Sequence, residues 1–369
     1  MKLNNLDKTN WESFPFEKIA KRISETIDPN KTDLEVYIGL EHLDPNDIHI
    51  RRHGSPSDVK GGKLKCYPGD LIFGKRRAYQ RKAAIVTQEG ICSAHAFVFR
   101  ANEDIIDSRL FPFFMHSDQF MHRMVDISVG GLSPTINWAD LKHQEFLLPP
   151  KEQQAELADL LWAMNEVIEK DLEVLENLRK NHLSFQKFLF KDHSFETIQL
   201  KRIIKITKGK NPILNESTGT VYCTAEYLRI GQASQYINDV NLSKCILIED
   251  EDLIILWDGS NAGEILKGKK GVLASTMCKI SILDDNFLKD YIAQFLDFKS
   301  FDIRRATVGS AIPHVDPGMI ENIRIPILSI GKQKAIINDF KKIEASIELI
   351  KSKLHSSKAL QKSLINQIF

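Results

Sequence analysis

The stretch KEQQAELADLLWAMNEVIEKDLEVLENLRKNHLSFQKFLF, residues 151–190, limits what this chain can fold into more than any other. Leu157, Leu161, Met164, Ile168, Leu175, Leu178, Phe185 and Leu189 follow alternating steps of four and three, with Asp171 and His182 as polar intrusions. That is the seam of a coiled coil, and a helix carrying it must bury it against another helix. The chain supplies a partner near its C-terminus. Ile336, Phe340, Ile343, Ile347, Ile350, Leu354, Leu364 and Ile368 keep the same steps, interrupted by Ser357 and Gln361, and each position lies 179 residues after its counterpart. The ends agree as well, SFQKFLF closing the first helix and SLINQIF the second. The chain reads as a tandem duplication.

The segments before each helix echo one another in order. VYIGLEHL (36–43) answers VYCTAEYL (221–228), each read as a strand entering a loop, and YPGDLIFGKRRAYQRK answers IEDEDLIILWDGSNAG, a buried strand and a turn. Helical stretches are expected near Leu110 to Phe120 and Leu288 to Phe298. VGGLSPTINWADLKHQEFLLPP then matches VGSAIPHVDPGMIENIRIPI, Gly130 answering Gly309 and Pro134 answering Pro313. Prolines after the last strand release the chain into its helix, where Pro150, Glu152 and Gln153 suit a first turn.

A repeat this long is a duplicated domain, not a solenoid unit. The expected fold is α+β, with two similar α/β domains (1–150 and 191–328) and two long helices (151–190 and 329–369). For the helices to share one seam the second must return along the first, so they pair antiparallel as a coiled coil and the halves form a pseudo-two-fold tandem repeat. A fragment ending at Phe190 carries a complete seam and is expected to pair with itself.

An apolar fraction of 43% suffices for two cores, and a net charge of +1 neither demands nor excludes a polyanionic partner. Five cysteines (Cys66, Cys92, Cys223, Cys245, Cys278) form no CxxC pair, which points to reduced thiols. MKLNNLDKTNWESF has no apolar signal core and no window reaches the length of a membrane span, so a cytoplasmic protein without membrane contact is expected. No GxSxG elbow, Walker loop or HExxH motif occurs, so no catalytic residue and no metal ligand is assigned. His95 reads as a core or rim histidine, and His182 as a polar residue that sets seam register.

Basic clusters carry the functional signal. Lys75, Arg76, Arg77, Arg81 and Lys82 fall in eight residues without an acid, with Tyr79 and Gln80 between them, and they follow a strand end, which suggests a projecting loop. Arginines there hold phosphates or read guanine, and glutamine reads adenine. Arg51, Arg52 and His53; Lys201, Arg202, Lys205, Lys208 and Lys210; Lys267, Lys269 and Lys270; and Arg304 with Arg305 recur in comparable regions of both halves. The turn WDGSNAG lacks the lysine of a P-loop and offers Ser260 and Asn261 to a partner, and His314 is a further contact candidate. Two DNA-facing surfaces are the leading expectation. The alternative is a coiled-coil adaptor whose globules bind proteins.

PGDLIFGKRR with EDLIILWDGSNAG, and FLLPPKEQQAEL with IRIPILSIGKQKAI, each leading into a long helix, resemble the specificity subunit of type I restriction-modification systems over nearly the whole chain. The resemblance implies two target-recognition domains that each read one half of a bipartite double-stranded DNA target, with the helices as a ruler between them. It implies a non-catalytic chain that binds no cofactor. Two DNA methyltransferase subunits would bring S-adenosylmethionine, and restriction subunits would bring ATP, Mg and translocation. The second exit, PILSIGKQKAI, departs from the pattern in lacking the second proline and the glutamate of PPKEQQ.

Overall fold

The computed structural model describes residues 8–191, 195–215, 218–307 and 313–369, with the side chains of 239–241 left out. Gly309, paired above with Gly130, lies outside the described residues. The chain forms two compact units, Met1–Glu173 with Lys351–Phe369, and Val174–Ile350.

The first unit holds a four-stranded antiparallel sheet in the order Ala20–Ile23, Ala96–Ala101, Leu71–Gly74, Ala83–Ile85. The second repeats it as Ile204–Lys208, Met277–Ile282, Leu253–Leu256, Ile265–Lys267. The central strands LIFG and LIIL are buried at every position, because both faces of each are covered. Each unit adds a second four-stranded sheet around a short central strand, Gly90–Cys92 or Gly271–Leu273. There Tyr37–Ile38 and Thr220–Cys223 pair parallel to the central strand, as the echo of VYIGLEHL and VYCTAEYL requires. The halves differ at the outer strand: Thr26–Ile27 pairs with Lys63–Cys66, whereas Tyr236–Ile237 pairs with Thr220–Cys223.

The strand entering a loop, read over 36–43, is Tyr37–Ile38 followed by a 3-10 turn, Leu40–His42. One expected element is corrected. The helix read over 110–120 is two helices, Phe111–His116 and Asp118–Asp126, because extended Ser117 (ψ 150°) ends one and caps the other, its Oγ accepting from the Phe120 N–H. Its counterpart Lys289–Arg305 is unbroken.

The motifs PGDL and EDEDL make one turn. Asp70 Oδ2 accepts from the Tyr67 N–H at 3.0 Å and Asp252 Oδ2 from the Glu249 N–H at 2.8 Å. The residue before each aspartate is left-handed, Gly69 at φ 88° and Glu251 at φ 63°. Each carboxylate also meets a cation on the next strand, Arg100 Nε at 2.8 Å or Lys279 Nζ at 2.6 Å.

Both long helices, Lys151–Phe190 and Ile330–Ile368, pass through both units. In the first unit Leu157, Ala158 and Leu161 pack with Leu364, Ile365 and Ile368 over Trp11 and Phe113. In the second, Phe185 and His182 pack on Phe340 at ring separations of 4.9 and 5.2 Å. The start of one helix thus meets the end of the other, and the seam is antiparallel in each unit. Each helix docks on its sheet domain through a buried glutamine. Gln154 accepts from the Asp107 N–H (2.6 Å) and donates to the Ile105 and Pro149 carbonyls (2.9 Å each). Gln333 accepts from the Leu288 N–H (2.8 Å) and donates to the Asn286 and Leu328 carbonyls (2.7 and 2.8 Å). These glutamines lie 179 residues apart.

Candidate nucleic-acid interface

The end of the central strand is stitched to the Pro-containing exit loop at three points, and both units use the same three. In the first, the Arg77 N–H donates to the Pro134 carbonyl (2.8 Å), the Ile136 N–H donates to the Lys75 carbonyl (3.0 Å), and Arg76 bridges to Thr135. In the second, the Gly259 N–H donates to the Pro313 carbonyl (2.9 Å), the Val315 N–H donates to the Trp257 carbonyl (2.9 Å), and Asp258 bridges to His314. The turn between is bracketed by left-handed residues. They are Gly259 and Gly263 (φ 110° and 94°) in one unit, and Arg77 and Arg81 (φ 57° and 53°) in the other. For arginine that conformation costs roughly 1–2 kcal/mol per residue, so it persists only because these contacts fix it. One frame therefore carries two different sets of side chains.

The first set is not the freely projecting loop expected from sequence. Arg81 is committed inward, to Asn46 Oδ1 (2.8 Å), the His116 carbonyl (2.6 Å) and Asp118 Oδ1 (2.8 Å), and Lys82 Nζ donates to the Leu40 carbonyl (2.6 Å). Lys75 lies over the Phe97 ring at 5.1 Å, and burial, with Arg22 nearby, holds its ammonium below the ordinary lysine range. Arg76 and Arg77 are exposed, Arg77 Nε donating to Ser133 Oγ at 3.0 Å. Tyr79 is 56% exposed and Gln80 is half-buried. The outward group is thus Arg76, Arg77, Tyr79 and Gln80.

In the second unit Ser260 and Asn261 are exposed on the turn, with His314 bridged beside them. Arg304, exposed at the end of helix Lys289–Arg305, adjoins Gly263: a Cβ there would come within 3.1 Å of Arg304 Cγ. Arg305 lies over Phe301 at 5.6 Å. Lys267, Lys269 and Lys270 are not gathered here. They sit at the far end of strand Ile265–Lys267, where Lys267 pairs with Glu251 (2.9 Å), Lys269 covers Tyr227 (5.2 Å) and Lys270 stands 4.0 Å from Glu249. Arg51 pairs with Asp47 and Glu169, Arg52 with Asp44, and Lys208 with Asp258.

Sequence reasoning passed over Gln154, Gln333, Asp70, Asp252 and the apolar loop tip at Leu132. The glutamines were detectable as one repeat position, EQQA at 152–155 against GKQK at 331–334. Among the described residues no three His, Cys, Asp or Glu side chains converge to hold a metal ion, and no helix is long and apolar enough to cross a membrane.

Two copies of one α/β module, each with its own side chains on a common frame and each feeding a long helix, define a duplicated recognition protein. The chain belongs to the family described as the type I restriction modification DNA specificity domain, whose profile matches residues 11–177 and again 193–356. It is 36% identical over 183 residues to the type I restriction enzyme MjaVIII specificity subunit of Methanocaldococcus jannaschii, a match covering 47% of this chain and 42% of that subunit. Identity to a putative type I restriction enzyme MjaX specificity subunit of the same organism is 23% over 368 residues, covering 89% of this chain and 84% of the relative. The fold is shared with the S subunit of a type I restriction-modification system from M. genitalium at a TM-score of 0.61, with 15% identity and coverage of 100% and 98%. A chain from a study of assembly and conformational transition in a type I R-M system gives 0.62, with 16% identity and coverage of 98% and 96%.

Proposed function

We propose that this chain is the non-catalytic, sequence-reading subunit of a type I restriction-modification complex. Each α/β unit reads one half of a bipartite DNA target, Arg76, Arg77, Tyr79 and Gln80 serving one half-site and Ser260, Asn261, Arg304 and His314 the other. Methyltransferase subunits supply S-adenosylmethionine and the modification chemistry, restriction subunits supply ATP- and Mg-dependent cleavage, and the assembly works on DNA in the cytoplasm. The observation that carries this reading is the three-point frame repeated in both units with unlike side chains. A duplicated enzyme would keep its reacting groups, whereas two readers of different half-sites keep the backbone and change what it presents.

The test is methylation mapping in a host carrying the whole system, with Arg76→Ala/Arg77→Ala and Ser260→Ala/Asn261→Ala variants. Each pair should relax one half-site and leave the other intact, since a good base contact is worth about 1–3 kcal/mol of discrimination. Where an arginine holds a phosphate instead, its removal lowers the slope of log affinity against log salt by about 0.9. Unchanged mapping and unchanged salt dependence in both variants would refute the assignment.

A further inference from the structure

We propose that Leu132 is an apolar wedge that enters the base stack of the half-site read by the first unit; this rests on the DNA-reading function above. Residues 129–135 form a braced finger. Its base is closed by reciprocal bonds, the Val129 N–H to the Thr135 carbonyl (3.0 Å) and the Thr135 N–H to the Val129 carbonyl (2.9 Å). Arg77 then holds the stem twice, through its N–H on the Pro134 carbonyl and its Nε on Ser133 Oγ. At the tip, Gly130 is left-handed at φ 111°, a Cβ on Gly131 would meet nothing within 4 Å, and Leu132 is 97% exposed.

A leucine that touches nothing adds nothing to folding, and a loop held this firmly does not present it by slackness. Its surroundings favour one occupant. Segments 75–82 and 128–136 contain no acid, and Arg76 and Arg77 stand exposed at the finger's base. A cationic collar around one apolar tip is complementary to nucleic acid: arginines hold phosphates while a leucine slides between base steps and unstacks them.

The experiment uses the intact complex and duplexes carrying its mapped target, with 2-aminopurine replacing successive adenines of that half-site. The wild-type complex should raise fluorescence at one step. Leu132→Ala should abolish the rise and weaken target binding about tenfold, leaving non-specific affinity and salt slope unchanged, and Leu132→Met should retain both. No rise with the wild type, or an undiminished rise with Leu132→Ala, overturns the wedge. So does loss of the methyltransferase subunits on Leu132→Ala, which would make the tip a protein contact. Arg76→Ala separates the two levels. If it weakens DNA binding while Leu132→Ala changes nothing, only the wedge fails; if neither variant matters, the DNA-facing reading fails with it.

Discussion

Replacing Gln154 with leucine removes a side chain that alone satisfies the Asp107 N–H and meets the Ile105 and Pro149 carbonyls. Leucine fills most of the volume, so the loss is one of hydrogen bonding. Three backbone groups beneath the helix start lose their partner, and an unsatisfied buried group costs about 1–3 kcal/mol. Even the low end gives a loss of about 3 kcal/mol, a large share of a domain's stability. Gln333→Leu should cost as much, because the Leu288 N–H and the Asn286 and Leu328 carbonyls stand in the same relation to it. The glutamines sit in different compact units, so the losses should be local and add in the double variant. Hydrogen exchange resolved along the chain gives the answer unit by unit, where one melting curve would mix two transitions. Gln154→Leu should lower protection in the strands paired to Leu71–Gly74, and Gln333→Leu in those paired to Leu253–Leu256. A loss under about 1 kcal/mol in either variant, or identical profiles from both, would refute the docking role.

The far end of the seam offers a second perturbation. Ile368→Ala should destabilise the first unit by about 2–5 kcal/mol, because Ile368 is wholly buried beside Trp11, Phe113 and Leu157; unchanged exchange at Leu110 and Leu157 would contradict this. A third test is titration. Burial pushes His116 down to about 4, with Arg81 adding to the shift, while its Nε2–H donates to the Ala83 carbonyl at 2.7 Å. The unfolded chain takes up this proton near pH 6.5 and the folded unit only near 4, so this contribution is complete above pH 6.5 and is lost as pH falls from about 6.5 to about 4, by up to about 3 kcal/mol. Denaturation at a series of pH values should show that loss in the wild type and less of it in His116→Gln; equal profiles would sink it.

What the sequence disclosed is whatever rests on local spacing. The seam, the helix Lys151–Phe190 and the order of echoes follow from side-chain periods that any alignment of the chain with itself makes visible. The break at Ser117 was legible too, since serine before Asp-Gln-Phe is an N-cap signal, but an apolar run hid it. The outer strands were not legible: whether Thr26–Ile27 or Tyr236–Ile237 joins one side of the sheet or the other depends on long-range pairing that two-residue strands do not encode. Nor does composition say where a cation is spent. Arg76 and Arg81 are the same residue five places apart, yet Arg81 answers Gly263 in a left-handed position and turns inward to Asp118.

The two polar intrusions of the first seam separate on the same ground. His182 packs against Phe340 with Glu344 3.9 Å away, whereas Asp171 is only 6% exposed and pairs with Lys353 at 2.8 Å. The polar contacts and the closer ring contacts across the helices join residues whose numbers add to 522–526, as in Leu161 with Gln361, Asp171 with Lys353, Phe185 with Phe340 and His182 with Glu344. Since the second seam is the first displaced by 179, the first helix pairing with its own copy would keep sums of 343–347. Asp171 and its copy then meet within a turn of each other, with Val174 where Lys353 stood. By the same displacement, Lys353 would meet its own copy in a pair of second helices. The charge pair thus favours one helix of each kind, and the sequence-based expectation that a fragment ending at Phe190 pairs with itself needs a condition. Leaving a buried charge unpartnered costs about 3–5 kcal/mol, so the fragment should dimerise weakly. Asp171→Ile, which installs the residue that Ile350 provides at the same repeat position, should tighten it at least tenfold, or about 1.4 kcal/mol. Sedimentation equilibrium on the two fragments measures the difference, and equal dimer affinities would show that the seam is indifferent to this pair.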